Sequence, residues 1–442
     1  MENTERTLSP VKRIHGGATL PHLKGTAESE SVIFSPERVF IPMQQHIGAP
    51  CVPCVAVGDT VFVGTKIAES ESFVSAPVHS SLSGTVKSIS DRMIDGKNIT
   101  FVEIESDGKM QKDPSLNPFE VKTAQDLALA AKNCGLVGLG GAGFPTHVKL
   151  TPPKDKKIDT LIVNAAECEP YITSDYRECI ENYINVMECI YLIKDVLQLE
   201  QVVICVESNK PKAIDKLMRI AADRRDAENK VRLMKLPTNY PQGAEKVIIY
   251  SATGRKLPLG KLPSDIGCIV MNVTSLARLY DYIKTGMPLV SKRITFDGTA
   301  VLEPKNIIVP IGTRISDVID FAGSVSRDAD KILCGGPMMG MAQIDDTTVI
   351  EKRTNAVLVM KKEKEPAVTN CIKCARCAAA CPMNLFPAKV DAANRTGNTQ
   401  KFAELNVAYC MECGSCSYVC PAKRPLTQIM RVAKNEVRRQ AK

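Results

Sequence analysis

The sequence predicts a multidomain protein of the α/β-plus-β class, in which small β domains flank one α/β domain and a helical cysteine-rich domain ends the chain. Its 442 residues suffice for about three domains. The sequence first has a pattern of short strands, then a pattern of alternating helices and strands, and later the pattern of short strands again. Of the 17 cysteines, eight lie in two segments of identical spacing near the carboxyl terminus.

Residues 1–118 are predicted to form a barrel-sandwich domain that ends in a linker. Apolar alternation lies between glycine-containing turns at 57–64, and Ser83-Gly84-Thr85-Val86 repeats this theme. The pattern resembles a lipoyl or biotinyl carrier domain. A carrier needs a lysine at its hairpin tip, where this chain has Glu69-Ser70-Glu71-Ser72-Phe73. We therefore expect the lipoyl-like scaffold without a swinging prosthetic group.

Residues 119–288 are predicted to form the α/β domain. Thr123 and Asp126 have the spacing of a capping box at the start of a helix. The strands that follow are expected at 160–163, 201–206, 231–236 and 268–272. The helices between and after them are expected at 175–198, 211–226, 243–252 and 274–284. This alternation indicates a sheet covered by helices.

The last two domains are predicted from a second change of pattern. Residues 289–352 return to short strands around a helical piece at 315–321, which predicts a small β-grasp-like domain. Residues 353–442 contain a charged linker and then the cysteine-rich domain.

The cysteine segments predict two [4Fe–4S] clusters. Each has the spacing Cys-x2-Cys-x2-Cys-x3-Cys-Pro of a dicluster ferredoxin, in which the fourth cysteine ligates the other cluster. The first cluster is assigned to Cys371, Cys374, Cys377 and Cys420. The second is assigned to Cys410, Cys413, Cys416 and Cys381. The alternative, structural zinc, usually takes its thiolates from two separated Cys-x2-Cys pairs.

The remaining cysteines are scattered along the chain. Those in apolar contexts are predicted to be small core residues, namely Cys134, Cys179, Cys189, Cys205, Cys268 and Cys334. Cys51 and Cys54 have the spacing of a redox pair, but no thioredoxin-like pattern surrounds them. Cys168 lies between two glutamates, which disfavours its thiolate.

A glycine-rich loop at 138–145 is the first candidate binding segment. It contains Gly-x-Gly-x-x-Gly, but a dinucleotide fingerprint requires a preceding strand and a following helix. Here a helix precedes the loop and Phe144-Pro145 follows, so that interpretation fails. The loop's backbone N–H groups can still approach a phosphate, to which Lys149 adds charge. A purely structural loop is the alternative.

An acidic loop at 164–170 is the second candidate binding segment, because it follows the strand predicted at 160–163. Ligands bind at the carboxyl ends of strands in such sheets. Glu167 and Glu169 have carboxylates that can accept hydrogen bonds from ribose hydroxyls. A solvated loop is the alternative.

These loops resemble the FMN- and NADH-binding loops of the flavoprotein subunit of respiratory complex I. The order of all the parts is more similar to the C subunits of the Rnf complex, the membrane-bound NADH:ferredoxin oxidoreductase. Further similar stretches are Gly16-Gly17 with Pro21 and Lys24, residues 45–50, residues 240–246 and the dicluster end. The resemblance covers nearly the whole chain and implies that the β-grasp domain is an SLBB domain.

The resemblance also implies two sets of cofactor-binding residues. Those implied for FMN are Gly138, Gly140, Gly141, Gly143, Lys149, Asn164, Glu167 and Asn272. Those implied for NADH are Phe144, Glu169 and Glu245. Leu139 and Ala166 stand where the complex I subunit has arginine and aspartate. Each departure removes a polar contact, which implies weaker FMN binding or a different arrangement of the isoalloxazine.

The function implied is that of an NADH-oxidising subunit through which electrons enter an ion-translocating enzyme. A hydride passes from NADH to FMN, and single electrons then pass through the two clusters to a partner subunit. No catalytic side-chain acid or base is required. The implied partners are membrane subunits and an iron–sulfur subunit that passes electrons to ferredoxin. The implied location is the cytoplasmic face of the cell membrane, as a peripheral protein.

Composition narrows the remaining function classes. No apolar run approaches the roughly 18 residues of a membrane helix. Aromatic residues make up only 5% and tryptophan is absent, which disfavours a nucleic-acid partner.

Two alternatives to the implied function stay open. One alternative is the soluble cobalamin reductase of a microcompartment, although a β-sandwich at the amino terminus favours the Rnf family. The other is a non-enzymatic iron–sulfur relay or adaptor that binds no flavin.

Overall fold

The computed structural model describes residues 11, 14–94, 96–153, 155–223, 230–323 and 325–440. Predicted features that lie partly outside these ranges are the start of the first domain and residues 224–226 of one predicted helix. No helix of the described residues has both the length and the apolar composition needed to cross a membrane.

The amino-terminal domain consists of two small antiparallel sheets. The strands of this region are β1 (Val32–Ile33), β2 (Arg38–Pro42), β3 (Val52–Pro53), β4 (Thr60–Val61), β5 (Lys66–Glu69), β6 (Val78–His79), β7 (Gly84–Ile94) and β8 (Lys97–Ser106). The first sheet has the strand order β2-β8-β7-β4 and the second β3-β5-β6. Alternate residues such as Val39, Ile41, Val102 and Ile104 face one buried core.

The hairpin tip that lacks the carrier lysine packs on the α/β domain. The ring nitrogen Nε2 of His147 donates a hydrogen bond of 2.7 Å to the carbonyl of Phe73. The two rings also meet edge to face, with centroids 5.5 Å apart. The tip therefore makes an interdomain contact in this chain.

The α/β domain is built on a parallel four-stranded sheet. Its strands are β9 (Thr160–Ala165), β10 (Gln201–Glu207), β11 (Val231–Leu236) and β12 (Cys268–Asn272). Their order in the sheet is β11-β10-β9-β12. Its helices are α1 (Ala124–Asn133), α2 (Thr146–Lys149), α3 (Ser174–Glu181), α4 (Tyr183–Val196), α5 (Pro211–Asp223), α6 (Glu245–Thr253) and α7 (Val273–Thr285). The predicted capping box of Thr123 and Asp126 is present at the start of α1.

One helix differs from its prediction. The segment predicted as a single helix over 175–198 forms α3 and α4, which are separated at Asn182 (φ −120°). The Asn182 side chain donates to the Glu178 carboxylate, which also accepts from Arg278 and Arg293. The sequence pattern predicts helicity on both sides of Asn182 but contains no signal for these distant partners.

The third domain is built on a mixed sheet that includes β1. Its other elements are β13 (Ser291–Asp297), β14 (Lys305–Pro310), α8 (Ile315–Ala322), β15 (Ala329–Cys334), β16 (Met341–Gln343) and β17 (Ala356–Lys361). The strand order is β1-β14-β13-β17-β15-β16. β17 pairs with β13 on one side and with β15 on the other. The sheet therefore extends beyond the range 289–352 predicted for this domain, because β17 lies in its interior and β1 comes from the amino-terminal region.

The carboxyl-terminal domain is small and helical. Its helices are α9 (Arg376–Ala379), α10 (Pro387–Arg395), α11 (Gln400–Glu404), α12 (Ser415–Tyr418) and α13 (Leu426–Gln440). Arg424 binds the fully buried Asp391 through two nitrogens, at 2.6 and 2.8 Å. This bidentate pair joins the two cysteine segments of the domain.

Lys352 lies where the first three domains meet. It is only 1% exposed, and its Nζ donates bonds of 2.8 Å to the carbonyls of Pro77 and Gly135. Its backbone N–H donates to the Gln45 side chain. Burial lowers the pKa of the Lys352 ammonium to about 8.

The lowered pKa of Lys352 predicts how the free energy of unfolding changes between pH 8 and 10.5. Since its pKa in the folded protein lies below the ordinary value of 10.5, the unfolded chain binds more protons in this range, and stability rises with pH. The Lys352 contribution to this rise is about 3 kcal/mol. We expect Lys352→Met to lose it, as measured by urea unfolding at several pH values. Parallel profiles for the wild type and the variant would refute this assignment.

Candidate functional site

The predicted site residues converge on the carboxyl ends of two neighbouring strands. β9 and β12 are adjacent, and Asn164 and Asn272 are register partners at their ends. From β9 the chain continues through β10 and β11 on one side, and it then returns to place β12 on the other side. Such a switch in strand order creates a crevice in which ligands bind.

The glycine loop lies against this crevice. The amide of Gly138 donates to the Phe144 carbonyl at 2.9 Å, which closes the loop. A Cβ on Gly140 would lie 2.8 Å from Nδ2 of Asn272, so a larger residue here would displace the Asn272 side chain. A Cβ on Gly141 would meet no protein atom within 4 Å, and Gly141 is exposed. The loop therefore offers free backbone to a ligand at Gly141.

Lys149 supplies a positive charge beside the loop. Its Nζ lies 3.9 Å from the position of a Cβ on Gly138 and 3.9 Å from Oε2 of Glu245, and it donates to the carbonyl of Val270. Burial lowers the pKa of Lys149, while Glu245 opposes this shift. The helix that contains Lys149 has only four residues, so the prediction that the loop is not a Rossmann fingerprint is confirmed.

Asn164 and Asn272 are held by internal hydrogen bonds. Asn164 Nδ2 donates to the Gly243 carbonyl at 2.8 Å, which links β9 to the segment before α6. Asn272 caps α7 by accepting from Thr274, and its Nδ2 donates to Asp175 at 2.7 Å. Asp175 is a site residue that the sequence analysis missed, because nothing in its local pattern signals this contact.

Glu167 lies in the interior. It is buried, and its carboxylate accepts from the amide of Asp175 at 2.7 Å and from Lys210 at 3.2 Å. It thereby stabilises the amino-terminal end of α3. Its predicted position along the flavin stays a prediction, and the structure adds a positioning role for this carboxylate.

The three residues implied for NADH occupy different surroundings. Phe144 is half-buried at the end of the glycine loop, and Glu245 is exposed at the start of α6. The carboxylate of Glu169 accepts bonds of 2.9 and 2.8 Å from the amides of Met338 and Met339. Glu169 therefore joins the acidic loop to the third domain, and its contact with nucleotide stays a prediction.

The two departures from the complex I pattern differ in position. Leu139 is 1% exposed and packs in the core of the α/β domain, so it lies away from the crevice surface. Ala166 is half-buried, and its carbonyl lies 2.5 Å from the position of a Cβ on Gly243. That distance requires glycine at 243.

Lys24 holds the acidic loop in place. Its Nζ donates to the carbonyls of Glu167 and Glu169 at 2.8 and 2.7 Å, and also to that of Ile172. Burial and the nearby Lys210 lower the pKa of Lys24 to about 8. The resemblance pointed to Lys24, but only the structure reveals its role.

Replacing Lys24 by methionine is expected to weaken FMN binding about tenfold, because three carbonyls lose a charged donor. FMN titration of flavin-depleted protein, followed by fluorescence quenching, measures this change. Lys256→Met is the matched control, since Lys256 is exposed. Equal FMN affinities of Lys24→Met and wild type would show that Lys24 does not position the loop.

The eight predicted cluster ligands line two separate cavities. One is lined by Cys381, Cys410, Cys413 and Cys416. The other is lined by Cys371, Cys374, Cys377 and Cys420. Each cavity thus collects three cysteines of one segment and the fourth cysteine of the other, as the spacing predicts. Four thiolates around one cavity fit a [4Fe–4S] cluster.

The other nine cysteines line neither cavity. The predicted core residues Cys134, Cys179, Cys189, Cys205 and Cys268 are buried, and Cys334 is half-buried. Cys51 is buried and Cys54 is exposed, and both are free thiols. Burial, with help from Glu207, raises the pKa of Cys168 to about 12, which keeps it a thiol.

Comparison with protein families assigns the four regions. The chain matches the RnfC barrel sandwich hybrid domain at 12–109, the Nuo51 FMN-binding domain at 131–281, the SLBB domain at 293–342 and the 4Fe-4S dicluster domain at 370–423. The predicted fold class is confirmed. FMN and two [4Fe–4S] clusters are likewise confirmed as the cofactors, whereas their individual contact residues stay predictions.

Three relatives align with nearly the whole of this chain. The C subunit of the proton-translocating ferredoxin:NAD(+) oxidoreductase complex of Clostridium ljungdahlii is 42% identical, over 91% of this chain and 89% of the relative. The Na(+)-translocating counterpart of Acetobacterium woodii is 41% identical over 96% of each chain. The C subunit of the ion-translocating oxidoreductase complex of Pseudomonas aeruginosa is 37% identical, over 98% of this chain and 57% of the relative. The chain belongs to the family of C subunits of the Rnf-type ferredoxin:NAD(+) oxidoreductase complexes.

Proposed function

We propose that this chain oxidises NADH and is the point at which electrons enter an ion-translocating ferredoxin:NAD(+) oxidoreductase complex. One observation carries the proposal: the glycine loop and Lys149 lie at the carboxyl ends of β9 and β12, in the same chain as two four-cysteine cavities. FMN supplies the chemistry that joins the two sites, because a flavin accepts a hydride's two electrons and releases them singly.

The residues of the crevice have separate tasks in this proposal. Backbone at Gly140 and Gly141 approaches the FMN phosphate, and the ammonium of Lys149 neutralises part of its charge. Asn272 fixes the loop from the sheet side. Glu245 is exposed at the mouth of the crevice, where it contacts the nicotinamide nucleotide. Hydride transfer itself needs no side-chain acid or base.

In this proposal, electrons leave the chain from the cluster bound by Cys371, Cys374, Cys377 and Cys420. Cys374 is exposed, and the neighbouring Ile372 side chain is 66% exposed. An exposed cluster edge allows a second protein to approach closely enough for electron transfer. The partner is an iron–sulfur subunit that passes electrons to ferredoxin, and ion translocation resides in membrane subunits.

The proposed location is the cytoplasmic face of the membrane, as a peripheral subunit of the complex. The relatives' names differ in the translocated ion, so the proposal assigns none.

Purification of the complex through a tag on this chain tests its placement. We expect detergent extracts of membranes to yield the tagged chain with integral membrane subunits and a separate iron–sulfur subunit. Recovery of the chain only from the soluble fraction, without these subunits, would contradict the placement and favour a soluble reductase.

A further inference from the structure

The α/β domain contacts the carboxyl-terminal domain through a buried tyrosine. Tyr240 is 2% exposed, and its hydroxyl donates a 2.6 Å hydrogen bond to the carbonyl of Cys413. The same loop continues to Gly243, whose carbonyl accepts from Asn164 at the candidate flavin site. Only Pro241 and Gln242 thus separate the residue that contacts Asn164 from the residue that contacts a cluster ligand.

The amino-terminal segment Gly16–Ala18 forms a second connection at the same place. Ala18 and Tyr240 exchange two backbone hydrogen bonds of 2.8 and 3.0 Å. The amide of Gly17 donates at 2.9 Å to the carbonyl of Ala380, which precedes the cluster ligand Cys381. We call Gly16–Ala18, Tyr240, Ala380–Cys381 and Cys413 the junction.

The junction has no room for a side chain at Gly16 or Gly17. Gly16 has a φ of +71°, and a Cβ there would lie 2.9 Å from backbone atoms of Ala380 and Cys381. Gly17 has a φ of +93°, and a Cβ there would lie 2.7 Å from the carbonyl oxygen of Tyr240. Backbone of Gly16 and Gly17 therefore packs directly on backbone of Ala380, Cys381 and Tyr240, and the Asn239 side chain also contacts this segment.

Both contacts converge on one cluster. Cys381 and Cys413 line the same cavity, together with Cys410 and Cys416. Ala18, Leu20, Tyr240 and Cys413 also form a single buried apolar cluster. Electron transfer depends on a short, fixed separation between the two centres, and these contacts fix the separation of the α/β domain from this cluster.

We propose that Tyr240 and the segment Gly16–Ala18 are positioning elements that hold the cluster of Cys381, Cys410, Cys413 and Cys416 against the flavin domain and make it the first acceptor of single electrons. The inference rests on the proposed function. In the step concerned, FMN reduced by NADH loses one electron and the cluster gains it, with no bond made or broken at Tyr240.

The test compares Tyr240→Phe and Gly16→Ala in the cluster-loaded, FMN-loaded protein. After rapid mixing with NADH, absorbance follows the flavin, and freeze-quench EPR follows the cluster. We expect Tyr240→Phe to slow cluster reduction about fivefold, as the loss of one hydrogen bond implies, with flavin bleaching unchanged. Gly16→Ala should slow it further. Deuterium exchange at the Gly17 amide should accelerate in both variants.

Two variants outside the junction serve as matched controls. Gly25→Ala adds the same methyl group where nothing lies within 4 Å, and Tyr418→Phe removes the hydroxyl of a 47% exposed tyrosine in the carboxyl-terminal domain. Neither control should change either rate. Wild-type cluster-reduction rates in both junction variants, with normal flavin bleaching, would overturn the inference. Absence of flavin bleaching in the wild type would instead overturn the proposed function.

Discussion

Replacing Gly141 by leucine is expected to weaken FMN binding about 100-fold and leave both iron–sulfur clusters in place. The Cβ of residue 141 would point into open space at the crevice, so the folded chain has room for the side chain and the ligand does not. Overpacking of about 3 kcal/mol weakens binding by about 100-fold. Flavin content after purification, with FMN titration of flavin-depleted protein, measures the effect.

The control for this substitution is Gly25→Leu, which adds the same side chain where no protein atom lies within 4 Å. Gly141→Leu protein should show wild-type iron content and dithionite-reducible clusters, but no reduction of these clusters by NADH. Normal flavin content in this variant would show that the FMN site lies elsewhere.

The second large effect is expected at Cys420. Although Cys420 belongs to the second cysteine segment, it lines the cavity of the first. Cys420→Ala should therefore remove the cluster of Cys371, Cys374 and Cys377, and about half of the protein's iron. The other cluster should remain and still be reduced by NADH, as EPR measures.

The reciprocal variant Cys381→Ala makes the test specific. It should lose the cluster of Cys410, Cys413 and Cys416, whose cavity Cys381 lines, and with it rapid reduction by NADH. Cys54→Ala, at an exposed cysteine of the first domain, should lose no iron. If each cluster were instead bound by the four cysteines of one segment, the two variants would give the opposite results, because Cys420→Ala would then lose the NADH-reducible cluster.

The spacing of residues along the chain was sufficient to predict those parts of the protein that depend on residues close together in sequence. The intervals between cysteines determine how far three thiolates reach, so the two cavities have the predicted membership. The helix before the glycine loop and the proline after it likewise excluded a Rossmann fingerprint. The alternation at 160–163 and 268–272 predicted β9 and β12, whose ends form the crevice.

Contacts between distant segments could not be predicted in the same way. Lys24 binds carbonyls about 145 positions away, and Tyr240 binds a carbonyl 173 positions away. No periodicity encodes either contact. β17 follows a loop and precedes a charged stretch, so nothing local places it inside the sheet of the third domain. Glu167 and Glu169 look like exposed binding carboxylates in sequence, but interior and interdomain donors occupy them.

Anaerobic titration of the purified protein with NADH tests the central claim most directly, with flavin absorbance and cluster EPR recorded on the same samples. A flavin accepts two electrons and each cluster accepts one, so complete reduction should consume about two NADH per chain. We expect the flavin to bleach and a cluster signal to appear as NADH is added. Protein that has intact clusters and is supplied with FMN, yet shows neither change, would contradict the account and leave an iron–sulfur relay.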